Sequence, residues 1–415
     1  MLYLIASTNV IQHIQIDLAD HSYVNEIHAD TVSESSETEL LDTTSPSDFH
    51  DLVKEHTNIL VAKIYSKSGL PRNQVDSVIK DFSCFLGGSF LTILKEKVID
   101  ALKNCHAKVE VINSITEMFE SLCNQFEHLS TEHKRMTYFQ SISAYIPPES
   151  YCIDFRLERK NTKEGVKPQM TQVTGQCISL RHVLKNFFEL PDALNSTIHM
   201  QKVQSESDTI YNFVQCTRWR DVITKYYKKT DIVFPLLVYY DDFEPNNPLG
   251  PHSEKIGAVY TAILCLPPEC QSKLDNIFVA LLFYANDRKQ YGNKKIFAPL
   301  INELIYLESE GVLLNTIEGK KRVYFATGLL TGDNLGIHSM CGFVESFSAN
   351  VMCRFCKASK FLTATQCVED STLLRSSESY YNDLALQNPK LSGIKEECIF
   401  NNIPSVNIIE MPFVD

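Results

Sequence analysis

The sequence has no excess of positive charge and no long apolar run. Its 415 residues contain 39 lysines and arginines against 51 aspartates and glutamates, which gives a formal net charge of −12. A protein that coats nucleic acid is normally basic, so contact with DNA would need a local basic patch or a bridging metal ion. No uninterrupted apolar run reaches the ~20 residues that cross a bilayer, and we therefore expect no membrane partner.

A disulfide framework is also missing. The 13 cysteines are an odd number, scattered along a long chain. The apolar opening Met1–Ile5 has no basic residues before it and is followed within a few residues by polar ones, unlike a signal peptide. We therefore expect reduced thiols and an intracellular protein.

The remaining composition is that of a globular protein, with 44% hydrophobic and 22% charged residues. Changes in pattern along the chain predict five regions. They are an acidic, largely disordered segment at 1–50, a helical domain at 51–135, a connector with a short helix at 136–230, a mixed α/β core at 231–360 and an irregular tail at 361–415.

The helical domain is predicted from apolar residues at three- and four-residue steps in Asn73–Leu102 and Val109–Leu129. Gly87–Gly88 interrupts the first of these and is expected to bend or split the helix. Residues 51–130 would then offer a surface for a protein partner. In the connector, Arg218–Lys229 mixes basic and aromatic residues. Such a segment either contacts a nucleic-acid backbone or is a solvated helix face.

The core begins with the apolar run Ile232–Phe243, which contains two adjacent carboxylates, Asp241 and Asp242, near its end. Turn-forming residues follow, so the two acids either open a turn or are held by a buried strand as metal ligands. Two further strands are predicted at Gly257–Leu266 and Asn276–Asn286, then a helix at Gly292–Gly311.

A fourth strand, Lys321–Leu330, is followed by Asp333. The order strand, strand, strand, helix, strand is that of the ribonuclease-H-like fold, in which the first and fourth strands lie side by side. Acids at the ends of those strands can share Mg²⁺ or Mn²⁺, which prefer oxygen ligands. A metal pair can activate a water or hydroxyl for attack on a phosphodiester.

Four segments, in the same order, resemble CACTA-type (En/Spm-like) cut-and-paste transposases. Asp242–Gly250 resembles the family's Asp-Gly-Phe-Asn-Pro-x-Gly segment with a two-residue insertion, and Phe297–Leu304 resembles its Leu-x-Pro-Leu-Ile-x-Glu-Leu helix. Gly332–Leu335 lies near where the family has its second catalytic Asp, and Cys353–Cys356 is similar to its Cys-Pro-x-Cys pair, with Arg354 in place of Pro. The chain is also similar to uncharacterised transposon-derived proteins of animal genomes.

The resemblance implies a nuclear, DNA-acting transposase core with Asp241 or Asp242 and Asp333 as catalytic metal ligands. The family has a third acid on a later helix, and no motif places one here. Glu345, Glu369 and Glu378 are candidates by default, and we expect a truncated core that lacks the third acid.

A zinc site is predicted from two pairs of ligand residues. His338 and Cys341 form one pair and Cys353 and Cys356 the other, and together they would make a tetrahedral set, with Cys367 as an alternative fourth ligand. The opposing interpretation is that these are ordinary buried cysteines.

Three functions follow from these patterns. The first is a transposon-derived protein resembling a metal-dependent DNA transposase, catalytically incomplete. The second is a non-enzymatic interaction or DNA-binding protein that uses the helical domain, with the core as scaffold. The third is a different metal-dependent nuclease on the same fold, since fold does not fix function.

Overall fold

The computed structural model describes residues 46–66, 70–162, 165–245, 255–271, 273–410 and 413–414. The chain divides into two compact units, Met1–Ile146 and Pro147–Asp415. The predicted acidic segment at 1–50 lies outside the described residues except for its last five positions.

The first unit is helical in its described part, as the apolar periodicity predicts. Its α-helices are α1 (Pro46–Ser66), α2 (Arg72–Gly87), α3 (Ser89–Asn104), α4 (Val109–Cys123) and α5 (Glu132–Ser141). The expected interruption at Gly87–Gly88 separates α2 from α3. One core cluster joins α1, α2, α5 and the segment after α4, and it includes Val61, Tyr65, Ile79, Phe126, Leu129 and Phe139.

A buried arginine helps to fix this core. Arg135 in α5 is 1% exposed and donates hydrogen bonds to the Tyr65 hydroxyl and the Leu129 carbonyl, both at 2.8 Å. Its guanidinium also pairs with the Asp76 carboxylate. A buried charge needs this number of partners, because an unpaired one would be strongly destabilising.

Among the described residues, one helical stretch, Arg72–Asn104, is apolar and long enough to count as a candidate membrane span. It comprises α2 and α3, which Gly88 separates. A single candidate of this kind is weak evidence for membrane insertion.

The second unit is built on one mixed sheet. Its strands are β1 (Glu149–Thr162), β2 (Gly165–Cys177), β3 (Ile232–Phe243), β4 (Ile256–Ile263), β5 (Ile277–Tyr284), β6 (Val312–Thr316), β7 (Gly319–Gly332) and β8 (Phe413–Val414). The order is β1-β2-β5-β4-β3-β7-β6, and β8 also pairs with β7. The β3–β7 and β7–β8 pairs are parallel and the others are antiparallel.

Strand β3 lies in the interior of the sheet because nearly all of its side chains are apolar. Val233, Phe234, Leu236, Val238 and Tyr240 are each at most 5% exposed. A strand that is buried on both faces shows such a continuous apolar run rather than strict alternation. The strand prediction for Ile232–Phe243 is therefore confirmed.

The described part of this unit also contains α-helices. They are α6 (Leu180–Phe188), α7 (Ala193–Glu206), α8 (Thr217–Tyr226), α9 (Ala285–Tyr291), α10 (Asn293–Ser309), α11 (Asn334–Met340), α12 (Lys360–Thr365), α13 (Ser377–Ala385) and α14 (Pro389–Ser392). Helix α10 packs on the sheet through Phe297, whose ring centroid lies 5.9 Å from Tyr240 and 5.6 Å from Phe283. The predicted helix and its neighbouring strands are thus present in a mixed α/β unit.

The region predicted as a connector, 136–230, is more structured than expected. It contains the hairpin β1–β2 and helices α6, α7 and α8. The strands were missed because the outer part of the hairpin is solvated on both faces, so its polar residues do not alternate with buried ones. Only α6 corresponds to the one short helix expected there, at Ser179–Leu190.

The tail at 361–415 is likewise not irregular throughout. Tyr380, Phe400, Ile403 and Ile408 are buried, and Phe400 packs on Phe297 of α10 at a centroid distance of 5.6 Å. Its elements are short, α13 having 9 residues and α14 having 4, so they carry little periodicity. Tertiary packing, rather than helix propensity, stabilises such short elements.

Candidate active site at the ends of two parallel strands

The parallel pairing of β3 with β7 brings the predicted acids to one edge of the sheet. In the register of this pair, Tyr240 lies beside Gly332. Asp241 follows Tyr240, and Asp333 follows Gly332. The two aspartates therefore leave neighbouring strands at the same level.

Tyr239 lies near both aspartates. It precedes Asp241 by two residues and therefore lies on the same face of β3. Burial raises the pKa of Tyr239, and the nearby charges of Asp241 and Asp333 raise it further. The phenol thus lies within the electrostatic reach of both carboxylates. A second tyrosine, Tyr260 of β4, packs 6.2 Å from the Tyr239 ring and also has a raised pKa, first from burial and then from Asp241.

Asp333 is oriented by the start of helix α11. It is the N-cap residue, and its Oδ1 accepts a hydrogen bond from the Gly336 backbone N–H at 2.5 Å. A Cβ on Gly336 would lie 2.7 Å from that same Oδ1. A side chain at residue 336 would therefore crowd this oxygen, and the cap fixes one oxygen of the carboxylate.

The strands also approach closely beside the acids. A Cβ on Gly332 would lie 2.6 Å from the Tyr240 carbonyl oxygen, a distance that real Cβ atoms essentially never show. Glycine at this position lets β7 lie directly against β3 where the two aspartates emerge.

Asp242 lies on the opposite face of β3 from Asp241. Its Oδ1 accepts a hydrogen bond from the Tyr240 hydroxyl at 2.5 Å, and the Tyr240 ring is fully buried and stacks on Phe283 at 6.1 Å. Arg288 of α9 also lies over the Tyr240 ring, 5.9 Å from its centroid. Of the two adjacent aspartates, Asp241 is the one on the Tyr239 face, which Asp333 also approaches.

The carboxylate oxygens of Asp241 and Asp333 are ligands that a hard divalent cation prefers. Mg²⁺ retains several waters and is commonly bound through one or two carboxylates. Asp333 is exposed and Asp241 half-buried, so both are accessible. Within the described part of the chain, no group of three or more His, Cys, Asp or Glu side chains could hold a metal ion.

The three default candidates for a third acid lie in different surroundings. Glu345 forms ion pairs with Lys395 at 2.8 Å and Arg288 at 3.6 Å. Burial alone would raise the pKa of Glu345, but the hydrogen bond from Lys395 and the charge of Arg288 lower it overall. Glu369 and Glu378 are exposed. No contact joins any of the three to Asp241 or Asp333 in the described residues.

The first predicted zinc pair is buried. His338 is 2% exposed, and its Nδ1 lies 2.8 Å from the Val344 carbonyl oxygen. Cys341 is fully buried, and its thiol interacts with that of Cys398. Burial first, and then this contact, raises the pKa of the Cys341 thiol.

The second predicted zinc pair is half-buried, and its two members meet each other. Burial and then the neighbouring Cys353 thiol raise the pKa of Cys356. Cys367, the alternative ligand, is exposed. The described residues thus place Cys341 with Cys398 and Cys353 with Cys356, in two separate pairs. Zinc binding by His338, Cys341, Cys353 and Cys356 stays a prediction.

An arginine between the cysteines reaches the acidic site, which the sequence patterns did not reveal. Arg354 is 6% exposed, and its Nη1 donates a hydrogen bond to Oδ1 of Asn334 at 2.5 Å. Asn334 directly follows Asp333. The only sequence signal for this role was the position of Arg354 where the transposase pattern has Pro.

The basic and aromatic segment Arg218–Lys229 is largely helix α8. Trp219 is buried, and Arg218 donates a hydrogen bond to the Ser405 carbonyl at 2.9 Å and pairs with Glu410 at 3.1 Å. Arg218 thus contacts the C-terminal segment. Residues 246–250 of the resembling segment Asp242–Gly250 lie outside the described residues.

Comparison with models of protein families and with curated protein sequences gives no match to this chain.

Proposed function

We propose that this chain is a transposon-derived protein whose second unit is a ribonuclease-H-like core that binds Mg²⁺ or Mn²⁺ and contacts DNA. The observation that carries the proposal is the β3–β7 register, which puts Asp241 and Asp333 beside one another at one sheet edge. The antiparallel neighbours β4 and β5, followed by α10 and then β7, support that fold, with α9 and β6 as additional elements.

Asp241 and Asp333 would hold the cation. When bound, the ion would polarise a phosphodiester oxygen and lower the pKa of a water or hydroxyl nucleophile. Asp242 lies on the other face of β3, where it accepts the hydrogen bond of the buried Tyr240. We propose that the protein binds the metal ion and DNA in the nucleus. In the strongest form of the proposal, it also cleaves or transfers DNA strands.

The test uses isothermal titration of Mn²⁺ into the full chain and three aspartate variants. Asp241→Asn and Asp333→Asn should each weaken Mn²⁺ binding about tenfold or more, because each removes a charged oxygen ligand. Asparagine at 333 can still cap α11, so the loss would not come from helix fraying. Asp242→Asn is the matched control and should change the affinity by less than about threefold, since this residue lies on the other face.

Identical binding heats for wild type and all three variants would refute the metal site. Incubation of the wild type with labelled duplex DNA and Mn²⁺ then distinguishes a protein that cleaves DNA from one that only binds it. Cleaved or joined strands indicate retained chemistry. Binding that weakens with salt, without cleavage, indicates a DNA-binding protein that has lost catalysis.

A second candidate function is a non-enzymatic interaction protein that uses the helical unit. The observation that favours it is the exposed apolar surface on α2 and α3. Phe82, Phe85, Phe90, Ile93 and Leu94 are each 42–60% exposed. Contiguous exposed apolar patches commonly mark interaction sites. A truncated chain of residues 147–415 that binds DNA as well as the full chain would assign the helical unit to another partner.

A further inference from the structure

Strand β1 is the terminal strand of the sheet, and its outer edge is open among the described residues. β1 pairs with β2 along its whole length, from Glu149 opposite Cys177 to Thr162 opposite Gly165. β2 in turn meets β5 only at Gln176 and Cys177. Most of the hairpin therefore extends beyond the body of the sheet as a two-stranded ribbon.

An open edge of this length is unusual in a folded protein. Its unpaired N–H and C=O groups are a template for pairing with another strand, and native edges are usually shortened, charged, bulged or interrupted by proline. β1 has 14 residues and no proline. Its one irregularity lies at Cys152–Asp154, near the base of the ribbon.

One face of the ribbon is apolar although it is solvated. Phe155 and Leu157 of β1 are 55% and 68% exposed, and Met170 of β2, which lies opposite Leu157, is 59% exposed. An isolated two-stranded hairpin is at best marginally stable in water, and further strands normally stabilise it. The exposed apolar row therefore favours a partner strand over permanent solvation.

The other face of β1 has charges that alternate in sign. The sequence runs Asp154, Arg156, Glu158, Lys160 at every second position. Arg156 pairs with Glu158 along the strand, with 2.5 Å between Nε and Oε1, and its Nη1 lies 3.5 Å from the Asp287 carboxylate of α9. Asp154 pairs with Lys295 of α10 at 2.5 Å. Alternation of this kind can be complementary to a second copy of the same strand running in the opposite direction.

The pattern favours the register that forms the most opposite-charge pairs. In an antiparallel pair of β1 strands centred on Leu157, Arg156 lies opposite Glu158 of the other copy, and Glu158 lies opposite its Arg156. The same register sets Phe155 opposite Arg159, a pairing that suits a cation–π contact. Registers centred on Arg156 or on Glu158 would instead put like charges opposite each other, which is destabilising.

We propose that two copies of this chain associate through their β1 edges, antiparallel and centred on Leu157, to form one continuous sheet across a two-fold axis. The contact is isologous, as in most homodimers. Main-chain hydrogen bonds supply the pairing, Leu157 packs on Leu157, and the charge pattern sets the register. This interface is independent of the predicted metal site.

Sedimentation equilibrium of the full chain measures the association directly. We expect a monomer–dimer equilibrium whose dissociation constant rises with salt, because exposed charge pairs are screened. A wild-type chain that stays monomeric up to about 100 µM, where even weak specific pairs associate, would overturn the proposal.

Charge reversal then tests the register. Arg156→Glu and Glu158→Arg each place like charges opposite one another at both positions, and each should raise the dissociation constant about tenfold or more. Lys202→Glu in α7 is the matched control for Arg156→Glu, because it also replaces an exposed positive charge by a negative one. It should leave the dissociation constant unchanged. Circular dichroism of every variant verifies that the fold is retained.

Mixing the two reversed variants gives the decisive result. Opposite charges again face each other at both positions in a heterodimer of Arg156→Glu with Glu158→Arg. Native mass spectrometry should show that heterodimer with an affinity within about threefold of the wild type, while each variant alone is monomeric. A merely structural role of either residue within its own chain would not be rescued by mixing, so a mixture that stays monomeric would overturn the proposed pairing.

Discussion

Arg354 donates a hydrogen bond to the side-chain oxygen of Asn334, 2.5 Å away, and thereby links the segment between the paired cysteines Cys353 and Cys356 to the first residue of α11. The preceding residue, Asp333, caps that helix. Arg354 is 6% exposed, whereas Asn334 is exposed, so the hydrogen bond is partly buried. Arg354 thus holds the residue that directly follows one predicted metal ligand.

Arg354→Met should therefore destabilise the protein and loosen α11. We expect a loss of about 2 kcal/mol in the free energy of unfolding, typical of a lost hydrogen bond to a charged group. Urea denaturation measures the loss, and hydrogen exchange of the Gly336 amide should become faster. Arg220→Met, which removes an exposed hydrogen bond to the Gln215 carbonyl, should cost no more than about 0.5 kcal/mol. Equal costs for the two variants would contradict the role assigned to Arg354.

A second prediction concerns pH. Glu303 of α10 accepts two hydrogen bonds from the Arg181 side chain, from Nε at 3.0 Å and Nη2 at 2.5 Å, and one from the Arg181 backbone N–H. Burial alone would raise the pKa of Glu303, but these hydrogen bonds and the charge of Arg181 lower it overall. A depressed carboxyl pKa stabilises the fold above the unfolded value of about 4.3, and this contribution is lost as the pH falls through the folded pKa.

Glu303→Gln should accordingly cost about 2 kcal/mol at pH 7, and the cost should shrink as the pH falls below about 4. Thermal or urea unfolding of both proteins across this range measures the difference. Glu318→Gln, which removes an exposed pair with Lys321, should leave the unfolding midpoint unchanged at every pH. A pH-independent cost for Glu303→Gln would show that packing, rather than charge, accounts for it.

The third prediction tests whether the C-terminal segment is part of the core. Phe297 is fully buried and contacts Tyr240 of β3, Phe283 of β5 and Phe400 of the segment after α14. Phe297→Ala should cost about 3–5 kcal/mol because it leaves a cavity between helix and sheet. Phe361→Ala in α12, where the ring is 75% exposed, should change the unfolding free energy by no more than about 0.5 kcal/mol.

If Phe400 belongs to the same core, Phe400→Ala should destabilise the protein as well, and its effect should not add to that of Phe297→Ala. Side chains in direct contact share a cavity, so their combined cost departs from the sum. Strict additivity in urea denaturation would indicate that the two rings are energetically independent.

The fourth prediction concerns the apolar surface of the helical unit. Phe85 and Phe90 stack at 5.5 Å across the break between α2 and α3, and both are more than half exposed. Replacement of both by serine should lower the fluorescence of a bound apolar dye such as ANS roughly twofold in the folded protein, because it removes the centre of the patch. The far-ultraviolet circular dichroism should be unchanged. Undiminished dye binding would place the accessible apolar surface elsewhere.

Several features of the molecule follow from the sequence because local pattern determines them. The continuous apolar run of β3 is typical of a central strand, and the helical spacing of apolar residues in α10 predicts one buried face. Asp241 and Asp333 were chosen as candidates because each lies at the end of an apolar strand. The mixed α/β class of the second unit was predictable on the same grounds.

Other features were decided by tertiary contacts. Whether Asp241 or Asp242 faces Asp333 depends on the alternation of β3 and its register with β7, which a pair of adjacent identical residues cannot reveal. The contact between Cys341 and Cys398 joins positions far apart in the chain. The hairpin β1–β2 has solvated apolar residues, and α13 and α14 are too short for periodicity. Apolar periodicity in a sequence reveals an element only if the element is long enough to repeat the pattern and buries one face throughout. The hairpin does not bury one face throughout, and α13 and α14 are too short. Only the tertiary structure reveals these elements.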